Sequence, residues 1–150
     1  MLTWYAQELP SSCVAACVRM VFGALGQHVA ELPVRHLLGH TALGIALAVA
    51  HTRLAQAEAD ATWHDAWNLD DLRDAVRHGS YPIVGVERQP LGYMRAFHAL
   101  VVVSVTSANV TVLDPLDGQE PRSYGIAAFM LAWELAGREA LVIATPARLP

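Results

Sequence analysis

Gln7-Glu8-Leu9-Pro10-Ser11-Ser12-Cys13 leads directly into the apolar run Val14-Ala15-Ala16-Cys17-Val18. Pro10 ends an extended segment, Ser11 and Ser12 are candidate N-caps, and the apolar run predicts a buried helix. A thiol at the start of a helix lies near unpaired backbone N–H groups and the positive end of the helix dipole. Both favour the thiolate, the form that attacks carbonyl carbon, so Cys13 is a candidate nucleophile.

Composition predicts a single globular domain, residues 1–150, with a large core. Hydrophobic residues make up 54% of the 150 residues and charged residues 16%, which is typical of a folded chain. The net charge of −4 comes from 14 acids against 10 basic residues. All the basic residues are scattered arginines without a basic stripe, so we expect no nucleic-acid partner.

The sequence also predicts the cellular location of the protein. The longest apolar run covers residues 42–50, far short of the roughly 20 residues that a membrane-spanning helix needs. The N-terminus has no basic segment followed by an apolar one, so no secretory signal is expected. The two cysteines are four residues apart on one predicted helix and are not expected to form a disulfide. We therefore expect a soluble, cytoplasmic protein.

Hydrophobic periodicity and turn residues predict an α+β fold with a helical N-terminal lobe and an antiparallel β C-terminal lobe. The first helix is expected to be closed by Gly26 and the fourth to be capped by Asn68. The predicted helices cover residues 12–25, 31–38, 42–56, 69–77 and 127–135, and the predicted strands cover residues 61–63, 83–86, 99–105, 110–113 and 140–143.

A cysteine nucleophile needs a general base, and the base needs an orienting group. Of the seven histidines, His98 stands apart because it precedes a β-branched strand and can face a cleft. Asp114 ends the next strand, which a hairpin returns beside the first. Counting through a four-residue loop sets Asp117 opposite His98, whereas a β-bulge or strand twist would restore Asp114. The alternative is that Asp114-Pro115 only begins a turn.

Together these residues resemble the papain-like bacteriocin-processing cysteine peptidases, which remove double-glycine leader peptides, often as a domain of an export ABC transporter. The resemblance extends over nearly the whole chain, and the combination of segments is more specific than any one of them. The matching residues are Gln7, Cys13, Ala16, Met20, Gly26, Thr41 to Gly44, Tyr81 to Val84, His98, Asp114-Pro115, Gly118, Phe129 and Trp133.

The resemblance implies a papain-like fold and a role for four residues. Cys13 would be the nucleophile, His98 the base and later the acid, and Asp114 the group that orients the imidazole. Gln7, with the backbone N–H of Cys13, would form the oxyanion hole. It also implies a peptide or protein substrate and an export ABC transporter as a partner. No metal or organic cofactor is expected.

The chain departs from the family beside the nucleophile. An acidic residue and a glycine usually flank the cysteine, and here Ser12 and Val14 stand in those places. Val14 is expected to crowd a narrow substrate groove, so a Gly-Gly preference does not follow from the resemblance. No transporter segment follows in this sequence, which we interpret as a stand-alone domain.

Two other functions fit the same residues. One is a binding module that holds a leader peptide or partner without cutting it. The other is a deamidase or acyltransferase, which would share the acyl-enzyme but pass the acyl group differently. Products of peptide-bond cleavage, ammonia release, or binding without products distinguish the three.

Several other residues have less specific interpretations. Cys17 is expected to be a buried hydrophobe rather than a second nucleophile. His36 and His40 are expected to share an i, i+4 helical face that could hold a metal, but a surface pair is favoured because no third ligand is near in the sequence. Trp63, Trp67 and Tyr93 are interpreted as core residues, and the alternative is that they line a peptide cleft.

Residues 88–97, with exposed Tyr93 and Arg95, are a candidate substrate-contacting flap.

Overall fold

The computed structural model describes residues 2–149. A short 3₁₀ turn, Gln89–Leu91, lies between the second and third strands. The helices are α1 (Cys13–Ala24), α2 (Glu31–Leu38), α3 (Leu47–Gln56), α4 (Leu69–Arg77) and α5 (Ile126–Leu135). The strands are β1 (Asp60–His64), β2 (Ile83–Glu87), β3 (Phe97–Val105), β4 (Asn109–Leu113), β5 (Arg122–Gly125) and β6 (Ala140–Thr145).

The strands form one six-stranded sheet in the order β1-β6-β2-β3-β4-β5, and every pairing in it is antiparallel. Side chains on alternate positions of β3 enter two separate cores. Ala99 and Val101 pack with residues of α1, α2 and α3, whereas Leu100 and Val102 pack with residues of α4 and α5. The expected α+β fold is confirmed, with helices covering both faces of the sheet.

Helix α1 is buried along most of its length, as the apolar run predicts. Val18, Met20 and Phe22 have no exposed surface. Gly26 follows the helix with φ of +92°, the left-handed conformation that a C′ glycine adopts most easily. Ser12 occupies the N-cap position, but its hydroxyl makes no capping bond to the helix. The predicted N-cap position of Ser12 is confirmed, but its hydroxyl bonds to Leu9 and Glu31 instead of to the helix.

The third helix begins five residues later than predicted. Residues 41–44 form a tight turn in which the Thr41 hydroxyl accepts from Leu43 N–H and donates to Gly44 O. Gly44 has φ of +85°, a conformation that cannot continue a helix. Since a threonine side chain can satisfy nearby backbone groups, the turn competes successfully with helix here. The segment that leads into α3 thereby borders a cleft of the structure.

The sequence predicted the start of α4 but missed one strand. Asn68 caps α4 in a full capping box with Asp71. Strand β5 was missed, because its polar and glycine-containing sequence is typical of a loop. Within residues 2–149, no helix has the length and apolar character needed to cross a membrane.

Candidate active site

Cys13 is the first residue of α1 and lines a cleft that His98 also lines. The N–H groups of a first helical turn have no intrahelical acceptor, and the Ser12 side chain does not cap them. The cysteine therefore lies where backbone donors point outward, as the sequence predicts. Cys17, one turn later, is completely buried. The burial confirms the expected core position and raises the pKa of the Cys17 thiol well above its ordinary value.

His98 lies on β3 and is buried beside Asp114. The imidazole Nε2 is 2.6 Å from Asp114 Oδ1, a short distance typical of a charge-assisted hydrogen bond. The same carboxylate oxygen accepts a hydrogen bond from Leu116 N–H at 2.8 Å. Because Nε2 faces the carboxylate, Nδ1 is the nitrogen left to face Cys13. Cys13 and His98 line the same cleft, so the structure brings Cys13, His98 and Asp114 together.

A β-bulge contributes to the choice between Asp114 and Asp117. The β3–β4 register shifts between Val102 and Ser104, so that Val101 pairs with Leu113. Continuing this register by one residue sets Asp114 opposite Leu100, two residues from His98, and the carboxylate reaches the imidazole diagonally. Asp117 instead accepts a hydrogen bond from the Tyr93 hydroxyl.

Electrostatics favour an ion pair between the thiol and the imidazole. Burial alone raises the pKa of Cys13, but the hydrogen bond and positive charge of His98 outweigh it and lower the pKa. Burial alone lowers the pKa of His98, yet hydrogen bonds and charge from Asp114 and Cys13 raise it to about 9. The pKa of Asp114 is lowered, because the His98 bond and charge outweigh its burial. All three shifts favour the charged forms, which are the thiolate, the imidazolium and the carboxylate.

Gln7 lies in the segment that leads to Cys13. Its Nε2 donates to Leu9 O at 2.8 Å and to Pro10 O at 3.1 Å. Its Oε1 is buried without a hydrogen-bond partner among the described residues. An oxyanion beside Cys13 would compete with these carbonyls for the amide N–H groups, so the oxyanion role of Gln7 stays a prediction.

The cleft has a volume of about 640 Å³ and walls of small and apolar residues. Five small residues, Gly44, Ala46, Gly85, Ala99 and Ala136, line it. Leu43 and Phe97 also line it and are 98% and 72% exposed. Val14 is only 5% exposed, since it packs into the core from the first turn of α1. The expected crowding by Val14 is therefore confined to a small residual surface.

Trp63, Trp67 and Tyr93 are not part of the cleft lining. Trp63 donates to Glu139 Oε1 at 3.1 Å, and Trp67 stacks on His64. Tyr93 is half-buried, so its expected exposure was wrong. The reason is that the guanidinium of Arg88 lies over its ring.

The expected shared helical face of His36 and His40 was also wrong. Helix α2 ends at Leu38, and Gly39 follows it in the left-handed conformation. His40 therefore lies beyond the helix, where its Nε2 is 3.2 Å from the Ser11 hydroxyl. Among the described residues there is no cluster of three metal-ligating side chains.

Two residues that support the site were not singled out from sequence. Trp4 donates its indole N–H to Asp114 O at 2.7 Å. Arg88 Nη2 is 3.9 Å from Asp114 Oδ2, on the side of the carboxylate away from His98. Neither residue has a distinctive sequence context, so only their positions in the fold show that they hold Asp114.

Comparison with solved structures shows which fold this is. The chain is similar to a protein designated a C39-like peptidase from Bacillus anthracis, at 13% identity and TM-score 0.72, over 96% of this chain and 95% of that one. It is similar to the peptidase domain of Streptococcus ComA, a bi-functional ABC transporter of a quorum-sensing pathway, at 17% identity and TM-score 0.77, over 97% and 99%.

A third similar structure is a double-glycine-motif protease from an AMS/PCAT transporter in complex with its leader peptide. Its identity is 16% and its TM-score 0.73, over 97% of this chain and 92% of that one. No protein-family model matches the chain, and no curated protein sequence is significantly similar to it. The likeness confirms the expected papain-like peptidase fold over nearly the full chain.

Proposed function

We propose that this protein is a cysteine peptidase that cleaves a peptide or protein substrate through a thioester on Cys13. The observation that carries the proposal is the contact of His98 with Asp114 at 2.6 Å in a cleft that also exposes Cys13. Acyl transfer at neutral pH can be carried out by a nucleophile, a neighbouring base and a carboxylate that orients the base.

The reaction follows from the charges at the site. The Cys13 thiolate attacks the scissile carbonyl carbon, and the carbonyl oxygen becomes an oxyanion. The His98 imidazolium then gives a proton to the leaving amine as the C–N bond breaks, which leaves a thioester. Neutral His98 next takes a proton from water, and the hydroxide formed attacks the thioester. The acid is released and the Cys13 thiolate is restored, with His98 protonated again.

The glycine and alanine residues in the cleft walls leave room for an extended peptide beside Cys13. One of the similar structures is a double-glycine-motif protease of a transporter in complex with its leader peptide. This likeness supports a double-glycine-type leader as the substrate and an export ABC transporter as a candidate partner.

Cys13 and Cys17 are both free thiols. Free thiols persist in reducing surroundings, which supports a cytoplasmic site of action.

Synthetic peptides spanning Gly-Gly and Gly-Ala junctions test the proposal, with mass spectrometry of products and trapped acyl-enzyme. Cleavage after the small pair, lost in Cys13→Ala, is the expected result. Ammonia release without backbone cleavage would instead indicate a deamidase. Saturable binding without products, equal in wild type and Cys13→Ala, would indicate a binding module.

Gln7→Ala is expected to lower kcat by about 10²–10³-fold, the effect of removing one oxyanion-hole donor. Iodoacetamide alkylation of Cys13 should stay at the wild-type rate, because displacement at an alkyl carbon forms no oxyanion. The two rates are measured on the same preparations. An unchanged kcat would remove Gln7 from the oxyanion hole.

The pH profile of kcat/KM is expected to be a bell. On the acid side activity falls as Cys13 becomes protonated, and the lowered pKa of the thiol sets that limb below the ordinary thiol range. On the alkaline side activity falls as His98 loses its proton, near its pKa of about 9. Alkylation should lack the alkaline limb, since it needs only the thiolate. A limb near pH 6.5 in place of the one near 9 would contradict the ion pair.

A further inference from the structure

A buried carboxylate that the proposed reaction does not use lies beneath the segment before Cys13. Glu31, the first residue of α2, is 0% exposed. Its Oε2 is 2.9 Å from Arg35 Nε. Removing a carboxylate from water is costly even when it is paired, so a carboxylate in this place needs further hydrogen bonds to be stable.

The further bonds all go to the segment 8–12. Glu31 Oε1 accepts the Glu8 N–H at 3.0 Å and the Ser12 hydroxyl at 3.2 Å. Arg35 adds a second link, because its Nη2 is 3.3 Å from Glu8 Oε1. One ion pair on α2 thus holds the segment at both of its ends.

The same segment joins the two donors of the proposed oxyanion hole. Gln7 immediately precedes it, and the backbone N–H of Cys13 immediately follows it. On the other side, Gln7 N–H donates to Pro115 O at 2.9 Å, next to Asp114. The segment is therefore fixed between the Glu31–Arg35 pair and the Asp114-Pro115 turn.

We infer that Glu31 is a positioning residue that sets the spacing of the two oxyanion-hole donors. The inference rests on the proposed function. Oxyanion donors act only when they lie about 2.7–3.1 Å from the developing charge. His98 and Asp114 make no bond to Glu31, so loss of the Glu31 carboxylate is expected to disturb the oxyanion donors while leaving the thiolate–imidazolium pair in place.

The experiment measures two reactions of Cys13 in Glu31→Ala and Glu31→Gln. One is acylation by p-nitrophenyl acetate, in which the thiolate displaces p-nitrophenolate through an oxyanion. The other is alkylation by iodoacetamide, which forms no oxyanion. Glu58→Gln is the matched control, because Glu58 makes an exposed ion pair with Arg148 at 3.5 Å. Rates are taken per folded molecule, with the folded fraction measured by circular dichroism.

Acylation should fall roughly 10- to 100-fold in Glu31→Ala, since small displacements of positioned groups have effects of this size. The acylation rate should fall less in Glu31→Gln, because the amide oxygen of the glutamine still accepts the Glu8 N–H. Alkylation, its pH profile and the control variant should match wild type. Where Glu31→Ala does not fold, Glu31→Gln alone decides.

Wild-type acylation in Glu31→Gln and Glu31→Ala would overturn the inference and leave the proposed function intact. An equal fall in acylation and alkylation would also overturn it, because Glu31 would then act on the thiolate. No acylation in wild type would overturn the proposed function and the inference together.

Discussion

Cys13→Ala is expected to abolish turnover, with kcat lower by about 10⁴–10⁶-fold, as when the nucleophile of a catalytic triad is removed. Without the sulfur no thioester forms, and any residual rate must come from water attack in the cleft. The protein should remain folded, since the side chain is only partly buried and loses one atom. Peptide cleavage and intact-mass labelling with iodoacetamide measure the effect.

Cys17→Ala is the matched control, one helical turn away. Cys17 is buried, and the raised pKa of its thiol keeps it protonated. We expect one label per wild-type molecule at pH 6, the same label in Cys17→Ala, and none in Cys13→Ala. Turnover that persists in Cys13→Ala would show that the nucleophile is another group.

His98→Ala is expected to have the second largest effect. The variant loses the proton donor for the leaving amine and also the charge that lowers the pKa of Cys13. The burial that raises this pKa is then opposed only by backbone hydrogen bonds from Ala99 and Val14, so the thiol should titrate near its ordinary value of about 8.5. At pH 6 the thiolate fraction, and with it the alkylation rate, should fall at least about 10²-fold. The loss of kcat should be about 10⁴-fold or more.

The measurement is the alkylation rate from pH 4 to 10 in wild type, His98→Ala and the control His28→Ala. His28 is exposed and should leave the profile unchanged. Rapid labelling near pH 5–6 in wild type that moves to alkaline pH only in His98→Ala would support the pair. The same profile in all three proteins, centred near the ordinary thiol value, would show that Cys13 is not activated.

Much of the site could be predicted from sequence because it depends on local chemistry. Pro10, the serines and the apolar run set the start of α1, and therefore place Cys13 at a helix N-terminus. The β-branched runs before and after the four-residue loop Thr106-Ser107-Ala108-Asn109 predicted the hairpin that brings the base and an acidic residue together. The capping box at Asn68 is also local, and its prediction was confirmed.

Local sequence gave no basis for predicting Glu31, which resembles an ordinary acid in the first turn of a helix. Its burial and its bonds to residues 8–12 arise only when α2 packs beneath that segment. The turn at residues 41–44, which borders the cleft, likewise replaced a helix that alanine and leucine favour.

Sequence by itself determined the candidate nucleophile, the candidate base and the elements that carry them, because helix starts and strand runs are encoded within a few residues. Tertiary structure decided that Asp114, and not Asp117, meets His98. One bulge between Val102 and Ser104 changes the register, and bulges are fixed by packing across the sheet rather than by the residues of one strand.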